Sequence, residues 1–400
     1  MKTKLAVDGG SPVRNRFLPF GGPALGEEEI DEVVATLRSG WIGAGPKVLQ
    51  FEKELSAYVG AKHVLSTSSC TAGLHLSLIA GGIGPGDEVI TTALTFGATA
   101  NSVVHQGATP RFADIDESTL NLDVQAVERA ITPKTKAIIP VHFGGLPVDL
   151  DAFRALARDR GLLLIEDAAH AIGARYKGRP IGDGENPTCF SFYANKNLTT
   201  AEGGAVAVND PDLAEKIRVY SQHGLTGDAW KRYSGGSLKL SHVVVPGYKY
   251  NLTDLQASLG LHQLRKQEDY WEIRERYAKI YDAAFAEFSD VRRQPRPDGV
   301  LDRHALHLYI LRIDPAAYTV CRNQIVEALL AENIGAAIHY RALHTHPYYA
   351  ERFGYQPDDF PHAHAVGETI FSLPCTPGMS EDDVYDVIEG VTKVLSAYRR

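Results

Sequence analysis

Four stretches of the chain carry residue types that could do chemistry together. The first is Ser66-Thr67-Ser68-Ser69-Cys70-Thr71-Ala72-Gly73, which follows the strand-like His63-Val64-Leu65 and opens an apolar helix through Leu74, Leu76 and Leu78. Small and hydroxylated residues at a helix start leave backbone N–H groups free to hold a phosphate. The same residues cap helices without any ligand. The second stretch is Ile165-Glu166-Asp167-Ala168-Ala169-His170, with Asp167 just past the C-terminal end of an apolar strand, where open α/β sheets bind ligands. A carboxylate there can pair with a protonated ring nitrogen, or simply cap the next helix.

The third stretch runs from Cys189-Phe190-Ser191-Phe192-Tyr193-Ala194-Asn195-Lys196 to Asn197, and Glu202-Gly203-Gly204 follows. Here Lys196 is read as ending a buried strand. Burial disfavours its ammonium form and lowers its pKa, which suits Schiff-base chemistry. A lysine snorkelling from a strand end is the plain structural alternative. The fourth, Pro246-Gly247-Tyr248-Lys249-Tyr250-Asn251-Leu252-Thr253-Asp254, joins a turn, two aromatics and an amide just before a long helix. Asn251 or Thr253 could equally be its cap.

The elements that must position these residues follow from patterning. Between about residues 60 and 210, short apolar runs alternate with amphipathic stretches, the signature of βα units around a parallel sheet. Strands are expected at 88–90, 110–114, 137–141 and 162–165, and helices at 99–106 and 151–160. From Thr253 to about Phe288 there is no Pro and a single Gly, Gly260, so one or two long helices are expected, with Glu272 and Arg276 paired four apart. Gln294-Pro295-Arg296-Pro297-Asp298-Gly299 is loop chemistry. Beyond it, strands at 307–311 and 336–338 and helices at 323–331 and 382–397 make a smaller α+β unit.

Composition bounds the function. The chain has 400 residues, 44% hydrophobic and 22% charged, which is ordinary for a folded protein and more than one core usually sustains. A formal net charge of −8 argues against nucleic acid as a main partner while leaving room for a local phosphate pocket. Cys70, Cys189, Cys321 and Cys375 lie far apart, so neither a metal site nor a disulfide framework is expected. No signal-like or membrane-length apolar run is visible, and a cytoplasmic protein without membrane partners is expected.

Taken in order, these four stretches resemble the DegT/DnrJ/EryC1/StrS sugar aminotransferases, fold-type-I enzymes that use pyridoxal 5'-phosphate. The resemblance also covers Leu5-Ala6-Val7-Asp8-Gly9-Gly10, Ser39-Gly40-Trp41-Ile42 with Gly45-Pro46-Lys47, and Ser372-Leu373-Pro374. It implies an α/β fold, with a large domain (1–252) holding a mostly parallel mixed sheet between helices. Linking helices and a smaller α+β C-terminal domain (253–400) would follow. It makes Lys196 the Schiff-base lysine and proton carrier, and Asp167 the partner of the pyridine nitrogen. His170 is placed near the phenolic oxygen and Phe96 on the ring face. The phosphate falls to Cys70, Thr71 and Ala72 at the helix start, to Ser191, and to Asn251 from a second subunit. An obligate homodimer with shared active sites is thereby implied.

Gly247-Tyr248-Lys249-Tyr250-Asn251, with His223-Gly224-Leu225, Asp228-Ala229-Trp230 and His344-Thr345-His346-Pro347-Tyr348-Tyr349, is similar to the branch acting at C4 of the sugar. That implies L-glutamate as donor and a nucleotide-linked 4-keto-6-deoxy hexose as acceptor, with Lys47, His344 and His346 as further candidate contacts. A 3-keto sugar aminotransferase is the nearest alternative. A dehydratase would carry His in place of Lys196, and a cysteine desulfurase would need a thiol on a mobile loop. A non-catalytic binding protein would have no use for Lys196, Asp167, Ser191 and Asn251 together. Departures from the family pattern are Ala201 for a frequent Gly, Cys70 for Gly or Ala, and Gly43-Ala44 for hydroxylated residues.

Overall fold

In the computed structural model, which describes residues 4–225, 241–297 and 301–400, two helices lead into the sheet: α1 (Glu27–Arg38) and α2 (Pro46–Val59). Strand β1 (His63–Thr67) runs into α3 (Cys70–Ala80). There follow β2 (Glu88–Thr92), α4 (Gly97–His105), β3 (Thr109–Ala113), α5 (Val124–Ala130), β4 (Thr135–Ile139), α6 (Leu150–Arg160), β5 (Leu163–Leu164) and β6 (Glu166–Asp167). A short hairpin of β7 (Arg175–Tyr176) and β8 (Arg179–Pro180) precedes β9 (Thr188–Ser191), β10 (Gly204–Val208) and α7 (Pro211–Ser221).

Strands β3-β2-β4-β5 pair in parallel, and β6-β9-β10-β1 continue them. The two groups are one sheet, because Asp167 N donates to Pro140 O at 2.9 Å and His142 N donates to Asp167 O at 3.1 Å. Antiparallel pairing enters through β10, against both β9 and β1. The expected mostly parallel mixed sheet is therefore present. Both of its faces are covered, as the apolar strands required. Along β4, Ile138 joins a cluster with Phe51, Leu55, Phe153 and Phe192, while Ala137 and Ile139 join Leu74, Leu76 and Val89 on the opposite face. Short side chains set where the helices begin. Ser69 Oγ accepts from Ala72 N at the start of α3, and Asp149 Oδ1 accepts from Ala152 N at the start of α6.

The rest of the chain opens with α8 (Asp254–Arg265) and α9 (Gln267–Phe285), which meet at Lys266. Next come β11 (Val291–Arg293), β12 (Tyr309–Ile313), α10 (Arg322–Ala331), α11 (Pro347–Phe353), α12 (Pro361–Thr369), β13 (Ile370–Leu373) and α13 (Glu381–Tyr398). Strands β11-β12-β13 form an antiparallel sheet under α9, α10 and α13, with Tyr281, Leu311, Leu329, Phe371 and Val391 in the core. The early chain takes part: Leu5 and Leu18 belong to this core. Glu332 accepts from the backbone N–H of both Ala6 and Val13 at 2.9 Å and pairs with Lys393 at 2.8 Å. Arg14 pairs with Asp383 at 2.8 Å.

Two local expectations are corrected. No strand forms at 336–338, because the segment divides its hydrogen bonds: Gly335 N donates to Leu18 O, whereas Ala337 exchanges bonds with Ser372. Arg276 pairs with Glu381 of α13 at 3.1 Å rather than with Glu272. The motif residues Asp228, Ala229 and Trp230, and Asp298 and Gly299, lie outside the described residues. Among the described residues no helix is long and apolar enough to cross a membrane.

Candidate active site

A cavity of about 360 Å³ opens at the C-terminal ends of the parallel strands and is closed on its far side by residues from the C-terminal part of the chain. Cys70, Thr71, Phe96, Asp167, His170, Ser191 and Lys196 all line it. Of the other residues named from sequence, Ala72 lies one step inside α3 with its N–H donated to Ser69 Oγ at 3.1 Å. Asn251 sits beside Thr67, outside the lining. Lys47 pairs with Glu32 on the outer helices. His344 is fully buried against Phe360, with Nε2 3.2 Å from Pro357 O, and His346 caps α11; neither lines the cavity.

Asp167 is the last residue of β6, 4% exposed, rather than one step beyond the strand. Burial raises its carboxyl above the ordinary range, and the groups that hold it are uncharged. Thr99 Oγ1 donates to Oδ2 at 2.8 Å, Ala169 N donates to Oδ1 at 3.1 Å, and the Cys70 thiol lies 3.8 Å from Oδ1. A buried carboxylate with three neutral donors has room for a cation as its remaining partner.

Lys196 stands five residues beyond β9 rather than at its end. After Ser191 the chain turns, with Lys196 N donating to Tyr193 O at 2.9 Å, and Thr200 N returns to Phe192 O at 2.9 Å. That turn delivers the amine into the cavity instead of along the strand. Desolvation pushes Lys196 down to about 8, so about a tenth of the amine is uncharged at pH 7, far more than for a solvated lysine. The turn is tight enough that Ala201 holds φ +67°, a left-handed conformation that favours Gly.

His170 is buried and its imidazolium is strongly disfavoured. Its Nδ1 accepts from Gly144 N at 3.3 Å, which leaves the proton on Nε2, 3.1 Å from the Tyr340 hydroxyl. Phe96 is 63% exposed at the cavity mouth, 5.9 Å from the Tyr340 ring. Sequence reasoning passed over Thr99, His307, His339 and Tyr340, which also line the cavity. His307 opens an apolar run that reads as a strand, His339 lies just past another, and the chain distance between residues 170 and 340 hides their meeting.

The first turn of α3 points at the cavity through Ser69, Cys70 and Thr71, with the partial positive charge of a helix start. Strand β10 backs it closely: a Cβ on Gly204 would lie 2.5 Å from Ser69 C and 2.6 Å from Cys70 N. A phosphorylated heteroaromatic aldehyde suits these parts. The amine would take its carbonyl, the carboxylate its ring nitrogen and the helix start its phosphate. Asn195 Oδ1, buried at the cavity wall without a partner among the described residues, is one further polar atom such a group could satisfy.

The chain matches the DegT/DnrJ/EryC1/StrS aminotransferase family over residues 23–392. It belongs to that family. It is 52% identical over 96% of its length to the spore coat polysaccharide biosynthesis protein SpsC of Bacillus subtilis, covering 98% of that protein. Its fold matches Spr1654 of Streptococcus pneumoniae in the PMP form with a TM-score of 0.88 and 35% identity, over 95% of this chain and 99% of that one. It also matches DesI, solved in the presence of its TDP-sugar product, with a TM-score of 0.85 and 29% identity over 98% and 97% of the two chains. This family member is thus a sugar aminotransferase that works with pyridoxal phosphate.

Proposed function

We propose that this aminotransferase moves an amino group from L-glutamate to a nucleotide-linked keto sugar, at C4 of a 4-keto-6-deoxy hexose. The observation that carries the reading is the convergence of Lys196, Asp167, His170 and the start of α3 on one cavity. The TDP-sugar in the DesI structure supports the nucleotide part, and the Gly247–Asn251 motif supports C4.

When bound, pyridoxal phosphate supplies an electron sink that lets a proton leave the carbon bearing the amino group. The residues of the chain do the rest. Lys196 gives the amine to which the cofactor attaches and, once released, the base that moves the proton at Cα of the donor. Asp167 keeps the ring nitrogen protonated. His170 offers its Nε2–H to the phenolic oxygen, and Phe96 covers the ring from the cavity mouth. Cys70, Thr71 and Ser191, which line the cavity, would hold the phosphate, and Ala72 would join them only by releasing its N–H from Ser69 Oγ. Asn251 joins them from a second copy, which accords with its place outside the cavity of its own chain. Ile30, Leu37, Ile42 and Leu49 are exposed on and between α1 and α2, an apolar surface that a homodimer would cover.

The test is spectroscopic. The purified protein should carry the visible absorbance of attached cofactor and lose it on addition of L-glutamate; a panel of 4-keto and 3-keto nucleotide sugars should then restore it, the 4-keto members fastest. Lys196→Ala should bind cofactor reversibly and show no turnover. Full transamination by that variant, or restoration by 3-keto sugars alone, would refute the lysine or the C4 assignment respectively.

A further inference from the structure

Lys196 is followed directly by Asn197, and the two side chains reach the same imidazole from opposite sides. Asn197 Nδ2 donates to Ala305 O at 2.7 Å, which fixes its carboxamide so that Oδ1 faces His307 Nδ1 at 3.3 Å. Its backbone carbonyl accepts from Gln267 Nε2 at 2.8 Å, anchoring the residue to α9. An amide oxygen accepts and cannot donate, so Nδ1 carries the imidazole proton. Nε2 then holds a lone pair, and it lies 3.3 Å from Lys196 Nζ.

We propose that His307 is a positioning residue for Lys196: a neutral imidazole, protonated at Nδ1, whose Nε2 accepts one N–H of the amine and so aims the amine's own lone pair into the cavity. The inference deepens the functional reading and rests on Lys196 as the reactive amine. A lysine side chain is a flexible four-carbon stem, and a nucleophile works best when held in an attacking geometry. Among the cavity-lining groups around Nζ, Asp167, Cys70, His170 and His339 also bear on its charge, but none of them is hydrogen-bonded to it. The surroundings keep His307 uncharged: it is buried, its ring centroid is 4.4 Å from that of His170, and Lys196, Arg274 and His339 all oppose a cation there. A histidine that merely filled space would not need its tautomer fixed by the residue next to the lysine.

Full-length protein freed of cofactor separates the possibilities. Two probes are used: pyridoxal phosphate, whose capture by the amine is followed by absorbance, and pyridoxine 5'-phosphate, which has no aldehyde and reports fit alone. His307→Phe should capture pyridoxal phosphate at least about tenfold more slowly, the scale of one lost hydrogen bond, and bind pyridoxine phosphate as the parent does. His307→Gln, which keeps an acceptor, should recover part of the rate. Equal capture rates, or a parallel loss of pyridoxine phosphate affinity, would overturn the proposal. A second measurement needs no folded variant at this position. In 15N-histidine-labelled protein, the His307 resonance should show the Nδ1–H form and shift in Lys196→Met; an Nε2–H form would overturn it. If Lys196→Ala itself still captured the aldehyde, the reading of Lys196 would fall, whatever His307 does.

Discussion

At the residue scale the cavity is a place where burial sets charge. Lys196 is held at about 8 by desolvation, well below a solvated lysine. The sign for reactivity follows: the uncharged amine attacks, so capture of pyridoxal phosphate by the cofactor-free protein should rise with pH. The increase should approach about tenfold per pH unit below the midpoint and flatten above it. Stopped-flow absorbance between pH 6 and 10 would show this, and a midpoint near that of a free lysine would refute it. The residues with polar or nucleophilic side chains were the legible part of the site. Asp167 and Lys196 stood out as polar residues beside apolar strands, and the family resemblance gave them, His170 and Ser191 their roles. His307 could not be singled out, since a histidine before Leu308 looks like the start of a core strand, and Tyr340 could not, since its hydroxyl meets His170 across 170 residues of chain.

At the element scale, the alternation of buried runs and amphipathic helices made the parallel sheet readable, and β2, α6 and α13 fall within a residue or two of their expected bounds. The segment 336–338 was misread because an apolar triplet has the strand pattern whether or not one neighbour is available to pair along it; here Leu18 and Ser372 each take a part. The close approach of β10 to the start of α3 was invisible, since nothing in Glu202-Gly203-Gly204 says what lies across from it. Gly204→Ala should lower stability by about 1–3 kcal/mol, because the atoms in the way are backbone and cannot rotate aside. Cofactor affinity should fall with it, because the displaced turn is the one facing the cavity. Gly84→Ala is the control: a Cβ there meets nothing within 4 Å. Thermal unfolding with and without pyridoxal phosphate measures both, and two variants that behave alike would contradict the account.

At the scale of the whole molecule, the proposed sharing of Asn251 between subunits makes a quantitative statement. Lys196→Ala and Asn251→Ala, each inactive or nearly so alone, should complement when mixed and allowed to exchange. Half the dimers would then be mixed and each would hold one intact site, giving back about a quarter of the parental activity. No recovery in a mixture shown to have exchanged, by co-purification of two differently tagged subunits, would place Asn251 outside the partner's site.

The seam that joins the early chain to α10 and α13 has a consequence for how the protein comes into being. Leu5 and Leu18 complete a core whose other walls include Val391 and Val394, and Glu332 gathers Ala6, Val13 and Lys393 around one carboxylate. Leu5 and Leu18 are therefore made long before Val391 and Val394 and must wait for them before they can dock. Glu332 then has no lysine until 61 more residues are made, the C-terminal core stays open along one side until its last helix arrives, and the sheet of the other half must stand by itself in the meantime.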